Sequence, residues 1–137
     1  ALRMEPRVRR EVTWLLDCYN ASPESTEMTV RFGATVPHAG RRLLVFGQLG
    51  ELGAHSKTIH EALGRSVLGY ERVWFVGEEA RVAYETCALE QKAWCKDTLE
   101  VTNALDEVLA PMDLVVLKGS RRTALERIFE QSTWGGN

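Results

Sequence analysis

Apolar and polar positions follow two different rhythms along the chain. Near the start, "LRMEPRV" and "EVTWLLD" lie on either side of the charged "RRE", the pattern of a β-hairpin. Pro23 suits the first turn of a helix and Ser22 its N-cap, and that helix is expected to reach about Val36, ended by Pro37 and Gly40. "RLLVFG" is then a short continuous apolar run, as found in strands buried on both faces of a parallel sheet. "RVWFVG", "KAWC" and "MDLVVLKG" read as further strands. Helical spacing separates them: from about Ser56 to Leu68, then "EEARVAYETCALEQ", then "DTLEVTNALDEVLA" with Thr98 as a candidate cap and Glu100 or Glu107 outside. "SRRTALERIFEQ" is the last helix, and residues 131–137, "STWGGN" included, are expected to fray.

Strands and helices alternating at this spacing imply right-handed βαβ units. The expected fold is therefore α/β and Rossmann-like, with a mostly parallel sheet of about six strands covered by helices on both faces. The opening hairpin adds one antiparallel strand at an edge. No repeat, low-complexity segment or linker divides the chain, so residues 1–137 are expected to form one domain.

Composition narrows the function classes. Of 137 residues, 45% are apolar and 26% charged, and a chain of this length buries about two-thirds of the surface it exposes when unfolded. A net charge of -2 gives no basic footprint for nucleic acid, and the cluster Arg7, Arg9, Arg10 reads as a solvated hairpin tip. No apolar run approaches the roughly 20 residues of a membrane helix. The chain opens on "ALRMEP" with neither an initiator Met nor a secretory signal, the start expected of a piece of a longer protein. Cys18, Cys87 and Cys95 are odd in number and lack metal-ligand spacing, which reads as reduced thiols and no metal site.

In parallel sheets ligands bind beyond the carboxyl ends of the strands, and here that rule singles out three loops. Asp17 ends a strand where its carboxylate can accept bonds from a ribose or orient a charged group, or, with Asn20, simply cap the turn. Tyr19 offers a stacking face and a hydroxyl, or covers the sheet edge. "GQLGELG" lacks the spacing of a dinucleotide-binding loop, so its glycines read as positions of positive φ, with Glu51 as the functional candidate. His55 and His60 do not share a helix face and make a poor metal pair. "KGSR" puts Lys118 and Arg121 at a strand-to-helix junction that would welcome an anion, with Ser120 as a possible N-cap. None of these supplies a nucleophile–base pair or a phosphate-binding loop, so the chain alone is expected to be inactive.

"LLDCYNASPES", "GRRLLVFGQLGELGAHSKTIHEALG", "VWFVG" and "VVLKGSRRTALERIFE", in that order, resemble the C-terminal domain of a Mur ligase. The type is the ligase that joins D-alanyl-D-alanine to UDP-N-acetylmuramoyl-tripeptide. The resemblance covers nearly the whole chain, and "LRMEP" resembles the segment joining the central and C-terminal domains, making residues 1–10 hinge and edge strand. It implies a cytoplasmic, monomeric peptidoglycan-precursor enzyme whose own N-terminal and central domains lie outside this chain. The central domain would hold ATP and magnesium, and the chemistry would pass through an acyl phosphate attacked by the dipeptide amine. Arg3, Asp17, Tyr19 and Asn20 would contact ATP. Glu51, His60, Lys118, Ser120 and Arg121 would lie toward the substrate. Leu16, Ser22 and Gln48 depart from the family pattern, which leaves the amine substrate open. The alternatives are a non-catalytic Rossmann-like binding module, or the same domain of another amide ligase of the superfamily. On this reading Asp17→Ala is expected to leave the fold nearly unaltered while impairing the complete enzyme.

Overall fold

Alternating side-chain direction along each central strand sorts the apolar residues into two cores. In the computed structural model, which describes residues 5–18 and 21–136, six strands form one sheet in the order β1-β2-β6-β3-β4-β5. They are β1 (Glu5–Arg9), β2 (Val12–Asp17), β3 (Arg42–Gly47), β4 (Arg72–Val76), β5 (Lys92–Cys95) and β6 (Leu114–Lys118). Only β1 runs antiparallel, against β2; the other pairings are parallel. The helices are α1 (Pro23–Thr35), α2 (Ser56–Ser66), α3 (Arg81–Thr86), α4 (Thr98–Val108) and α5 (Glu126–Gln131).

Leu44 and Phe46 of β3, Val73 and Phe75 of β4 and Val116 of β6 point to one face, where they meet Val30 of α1, Leu63 of α2 and Ala83 of α3. Leu43, Val45, Trp74, Val115 and Leu117 point to the other, against Val101 and Leu105 of α4 and Ile128 and Phe129 of α5. Both faces of the sheet are thus covered, which is why these strands read as continuous apolar runs. The expected α/β, mostly parallel architecture is the one observed. Because β6 lies between β2 and β3 while its chain leaves toward the opposite face, the crevices beside β6 are the switch points of the sheet.

Local chemistry sets the helix ends, with several departures from expectation. Ser22 and Ser25 form a reciprocal capping box at the start of α1, as the Ser-Pro pair predicts. Thr98 does not cap α4; Asp97 does, its Oδ1 accepting from the Glu100 amide at 3.0 Å. The third helix stops at Thr86 rather than running through "CALEQ". There the Lys92 ammonium takes the carbonyls of Tyr84 (2.7 Å) and Cys87 (3.0 Å), satisfying groups that would otherwise extend the helix. "SRRTALERIFEQ" is not one helix. A 3-10 turn, Arg121–Thr123, is broken at Ala124 (φ 52°), which lets the fully buried Leu125 drop into the core before α5 starts.

The arginine cluster stands at the hairpin as expected, with Arg7 and Arg10 exposed and Arg9 half-buried, and it also stacks on aromatic rings. The guanidinium groups of Arg7 and Arg9 lie 5.6 and 5.8 Å from the Phe129 ring centre, and that of Arg10 lies 4.9 Å from Trp134. The tail expected to fray folds back over the same hairpin: the Trp14 indole donates to the Trp134 carbonyl at 3.1 Å, and Ser132 Oγ donates to Asp106 at 2.6 Å. Aromatic surface on α5 and the tail therefore gives the cations a face to stack on, which their charge alone does not reveal.

Candidate functional site at the carboxyl edge of the sheet

The parallel pairing of β2 with β6 places Asp17 directly opposite Lys118. Asp17 Oδ2 accepts from Lys118 Nζ at 3.1 Å and from Thr29 Oγ1 of α1 at 2.6 Å. Both charged side chains are almost wholly buried, at 1% exposure for Lys118 and 5% for Asp17. A buried carboxylate and ammonium are tolerated when paired and further hydrogen-bonded, and Thr29 supplies the additional bond. The bonds of the Asp17 carboxylate among the described residues are these two, and the N-cap of α1 is Ser22. The pair ties the ends of two strands to the first helix.

The thiol beside it responds to this environment. Burial above all, with the carboxylates of Glu126 and Asp17 adding, pushes Cys18 up to about 12, against the opposing pull of Lys118. It is an inert thiol at neutral pH.

The neighbouring strand end is shaped by glycine. A Cβ on Gly119 would come within 3.0 Å of the Gly47 Cα and 2.8 Å of Leu125 Cδ1, so the chains leaving β6 and β3 run side by side beneath Leu125. Ser120 is half-buried, makes no capping bond, and accepts at its carbonyl from Thr123 Oγ1 at 2.6 Å. Arg121 is exposed. The 3-10 turn that starts here is too short to supply the helix N-terminus invoked for an anion, so that part of the expectation does not hold.

Beyond β3, Glu51 is exposed in a left-handed conformation (φ 58°) on the glycine loop. His60 is fully buried and both ring nitrogens are engaged: Nε2 accepts from the Leu49 amide at 3.1 Å and Nδ1 faces the Ser56 carbonyl at 2.9 Å. It holds the loop rather than facing a ligand. Arg3, Tyr19 and Asn20 lie outside the described residues.

The fold thus gathers Asp17, Lys118, Ser120, Arg121 and the Glu51 loop on adjacent strand ends, and sets His60 beneath them. Sequence reasoning missed Thr29, Ser56 and Glu79, and named Gln48 only as a departure from the family pattern; all four bond to this edge. Ser56 and His60 are four residues apart on one helical face, a signal that was available. Ser56 Oγ lies 3.2 Å from His60 Nδ1 but donates to Glu79, so the two are no nucleophile and base. Among the described residues no group of His, Cys, Asp or Glu could hold a metal ion. Nor is any described helix long and apolar enough to cross a membrane.

A family model described as Mur ligase, glutamate ligase domain, matches residues 2–121. The UDP-N-acetylmuramoyl-tripeptide–D-alanyl-D-alanine ligase of Rickettsia prowazekii is 29% identical over 119 residues, which are 85% of this chain and 26% of that protein. That of Treponema pallidum is 33% identical over 131 residues, 85% of this chain and 27% of that protein. A solved MurF ligase from Thermotoga maritima, in complex with ADP, superposes with a TM-score of 0.78 at 27% identity, over 94% of this chain and 30% of that one. A MurF from Acinetobacter baumannii superposes with a TM-score of 0.80 at 26% identity, over 93% and 28%. The chain therefore spans little more than a quarter of the length of the relatives it matches.

Proposed function

The chain belongs to the Mur ligase family as a C-terminal domain, and from that premise we propose that it serves a peptidoglycan-precursor ligase joining D-alanyl-D-alanine to UDP-N-acetylmuramoyl-tripeptide. The observation that carries this reading is the in-register meeting of Asp17 and Lys118. It unites "DCYNASP" and "KGSR", motifs about a hundred residues apart, at one carboxyl edge where parallel sheets take ligands. The relatives' shared name and the ADP bound by the Thermotoga maritima enzyme support the same assignment.

In the proposed reaction ATP phosphorylates the terminal carboxylate of the tripeptide, releasing ADP. The dipeptide amine then attacks the acyl carbon, and phosphate leaves as the amide forms and the amine loses a proton. This chain's part is to close over the site. Arg3, Asp17, Tyr19 and Asn20 form the nucleotide side, and the loops carrying Glu51 and the Lys118–Arg121 segment form the substrate side. Closure keeps water from an acyl phosphate that it would hydrolyse. ATP and its magnesium are held by a central domain outside this chain; the described residues offer the metal no ligand cluster, and no step assigned to them runs through it. The reading places the enzyme in the cytoplasm as a monomer, in keeping with three free thiols.

The test is product formation by the full-length protein with ATP, UDP-N-acetylmuramoyl-tripeptide and alternative amines, followed by mass. D-alanyl-D-alanine is expected to be joined. Turnover with glutamate or another free amino acid but not with the dipeptide would assign the domain to a different amide ligase.

A further inference from the structure

Two neighbouring loops of the carboxyl edge are locked together by a closed ring of hydrogen bonds. The Leu49 amide donates to His60 Nε2 at 3.1 Å, which makes Nδ1 the protonated ring nitrogen. Nδ1–H is then directed at the Ser56 carbonyl (2.9 Å) and Ser56 Oγ (3.2 Å). Ser56 Oγ gives its own proton to Glu79 Oε1 at 2.6 Å. The Glu79 amide donates to Gln48 Oε1 at 2.8 Å, and Gln48 precedes Leu49, closing the ring. Donors and acceptors alternate around it without conflict, so its polarity is fixed.

Two further features hold the ring in place. The Gln48 amide donates to the Val76 carbonyl at 3.0 Å, joining the loop after β3 to the end of β4. Gln48 Oε1 lies only 2.4 Å from where a Cβ on Gly77 would stand, and Gly77 has φ 105°, so only glycine there lets Gln48 reach the Glu79 amide. The segment so clamped carries Glu51 in its left-handed conformation.

Strand order says which ligand this device serves. With β6 between β2 and β3, the clamped loops lie two and three strands from Asp17 at the end of β2, about 10 and 14 Å away. We infer that Gln48, Ser56, His60 and Glu79 are positioning residues that preform the wall facing the incoming amine substrate, a short peptide, and have no part in holding ATP. This rests on the ligase reading above. A loop already ordered by the ring loses less freedom when the substrate binds, so breaking the ring weakens the substrate's binding and spares the chemistry.

Ser56 is half-buried and Glu79 exposed, so both tolerate truncation, whereas fully buried His60 does not. In the full-length protein, Ser56→Ala and Glu79→Ala are expected to raise KM for D-alanyl-D-alanine about three- to tenfold, with KM for ATP and kcat unchanged. Glu79→Gln keeps an acceptor oxygen for Ser56 and is expected to restore most of the loss. Hydrogen exchange gives a readout independent of turnover: the Leu49 amide exchanges faster in the two alanine variants and stays protected in Glu79→Gln. Unchanged dipeptide KM, a fall confined to kcat, or a rise in KM for ATP would each overturn the inference while leaving the ligase reading standing. Failure of the unmodified protein to join the dipeptide would remove the ligase reading, and this assignment of the ring with it.

Discussion

At the end of β2 a single carboxylate oxygen serves two donors, Lys118 and Thr29. This changes what Asp17→Ala should do. Read from the sequence, the substitution spares the fold; in the structure it leaves the Lys118 ammonium buried without its carboxylate. Loss of one member of such a pair costs about 3–5 kcal/mol, whereas replacing both by apolar groups of similar volume can be nearly neutral. Urea unfolding should therefore show a large drop in midpoint for Asp17→Ala and recovery in the double variant Asp17→Leu/Lys118→Met. A wild-type midpoint for Asp17→Ala would mean that the pair contributes nothing to the fold. Cys18, next along the chain, supplies a pH signature. Its pKa is pushed from the ordinary 9.0 up to about 12, so the folded state keeps a proton that the unfolded chain gives up. Stability from this source is intact below about 9.0 and is lost as pH rises toward about 12. Cys18→Ser should flatten that alkaline fall, and iodoacetamide at neutral pH should label the half-buried Cys18 of the folded protein only slowly; rapid labelling would contradict its raised pKa.

Elements with strong local signals were legible from the residues. Pro23 with Ser22 marks the start of α1, and apolar runs mark every central strand. Removing the Ser22 hydroxyl should cost about 1 kcal/mol, read as a lowered unfolding midpoint for Ser22→Ala. Elements governed by distant partners were not legible. The end of α3 depends on Lys92 of the next strand, and the break before α5 on the space that Leu125 fills above Gly47 and Gly119. Helix contact is set in the same way: a Cβ on Gly64 of α2 would lie 2.2 Å from the Ala83 carbonyl oxygen of α3. Gly64→Ala should therefore destabilise by about 1–3 kcal/mol despite the better helix propensity of alanine. A gain in thermal stability would show that the two helices can move apart freely.

For the molecule as a whole, motif order was enough to suggest a ligand edge. What brings Asp17 to Lys118 is strand order, in which the last strand returns between the first parallel strand and the second. No local pattern encodes that return. Nor does any encode the ring around His60, whose members come from two loops and a helix. The edge so assembled holds a buried ion pair and preformed loops, but neither a metal cluster nor a nucleophile–base pair among the described residues. On the proposed ligase reading, such a domain would serve ATP and an acyl phosphate only when another domain presents them. Phosphate release from ATP, measured in parallel for these 137 residues and for the full-length protein, tests this most directly. The account predicts no release by the 137 residues, and release by the full-length protein only when tripeptide precursor and D-alanyl-D-alanine are both present. Release by the 137 residues alone would contradict it.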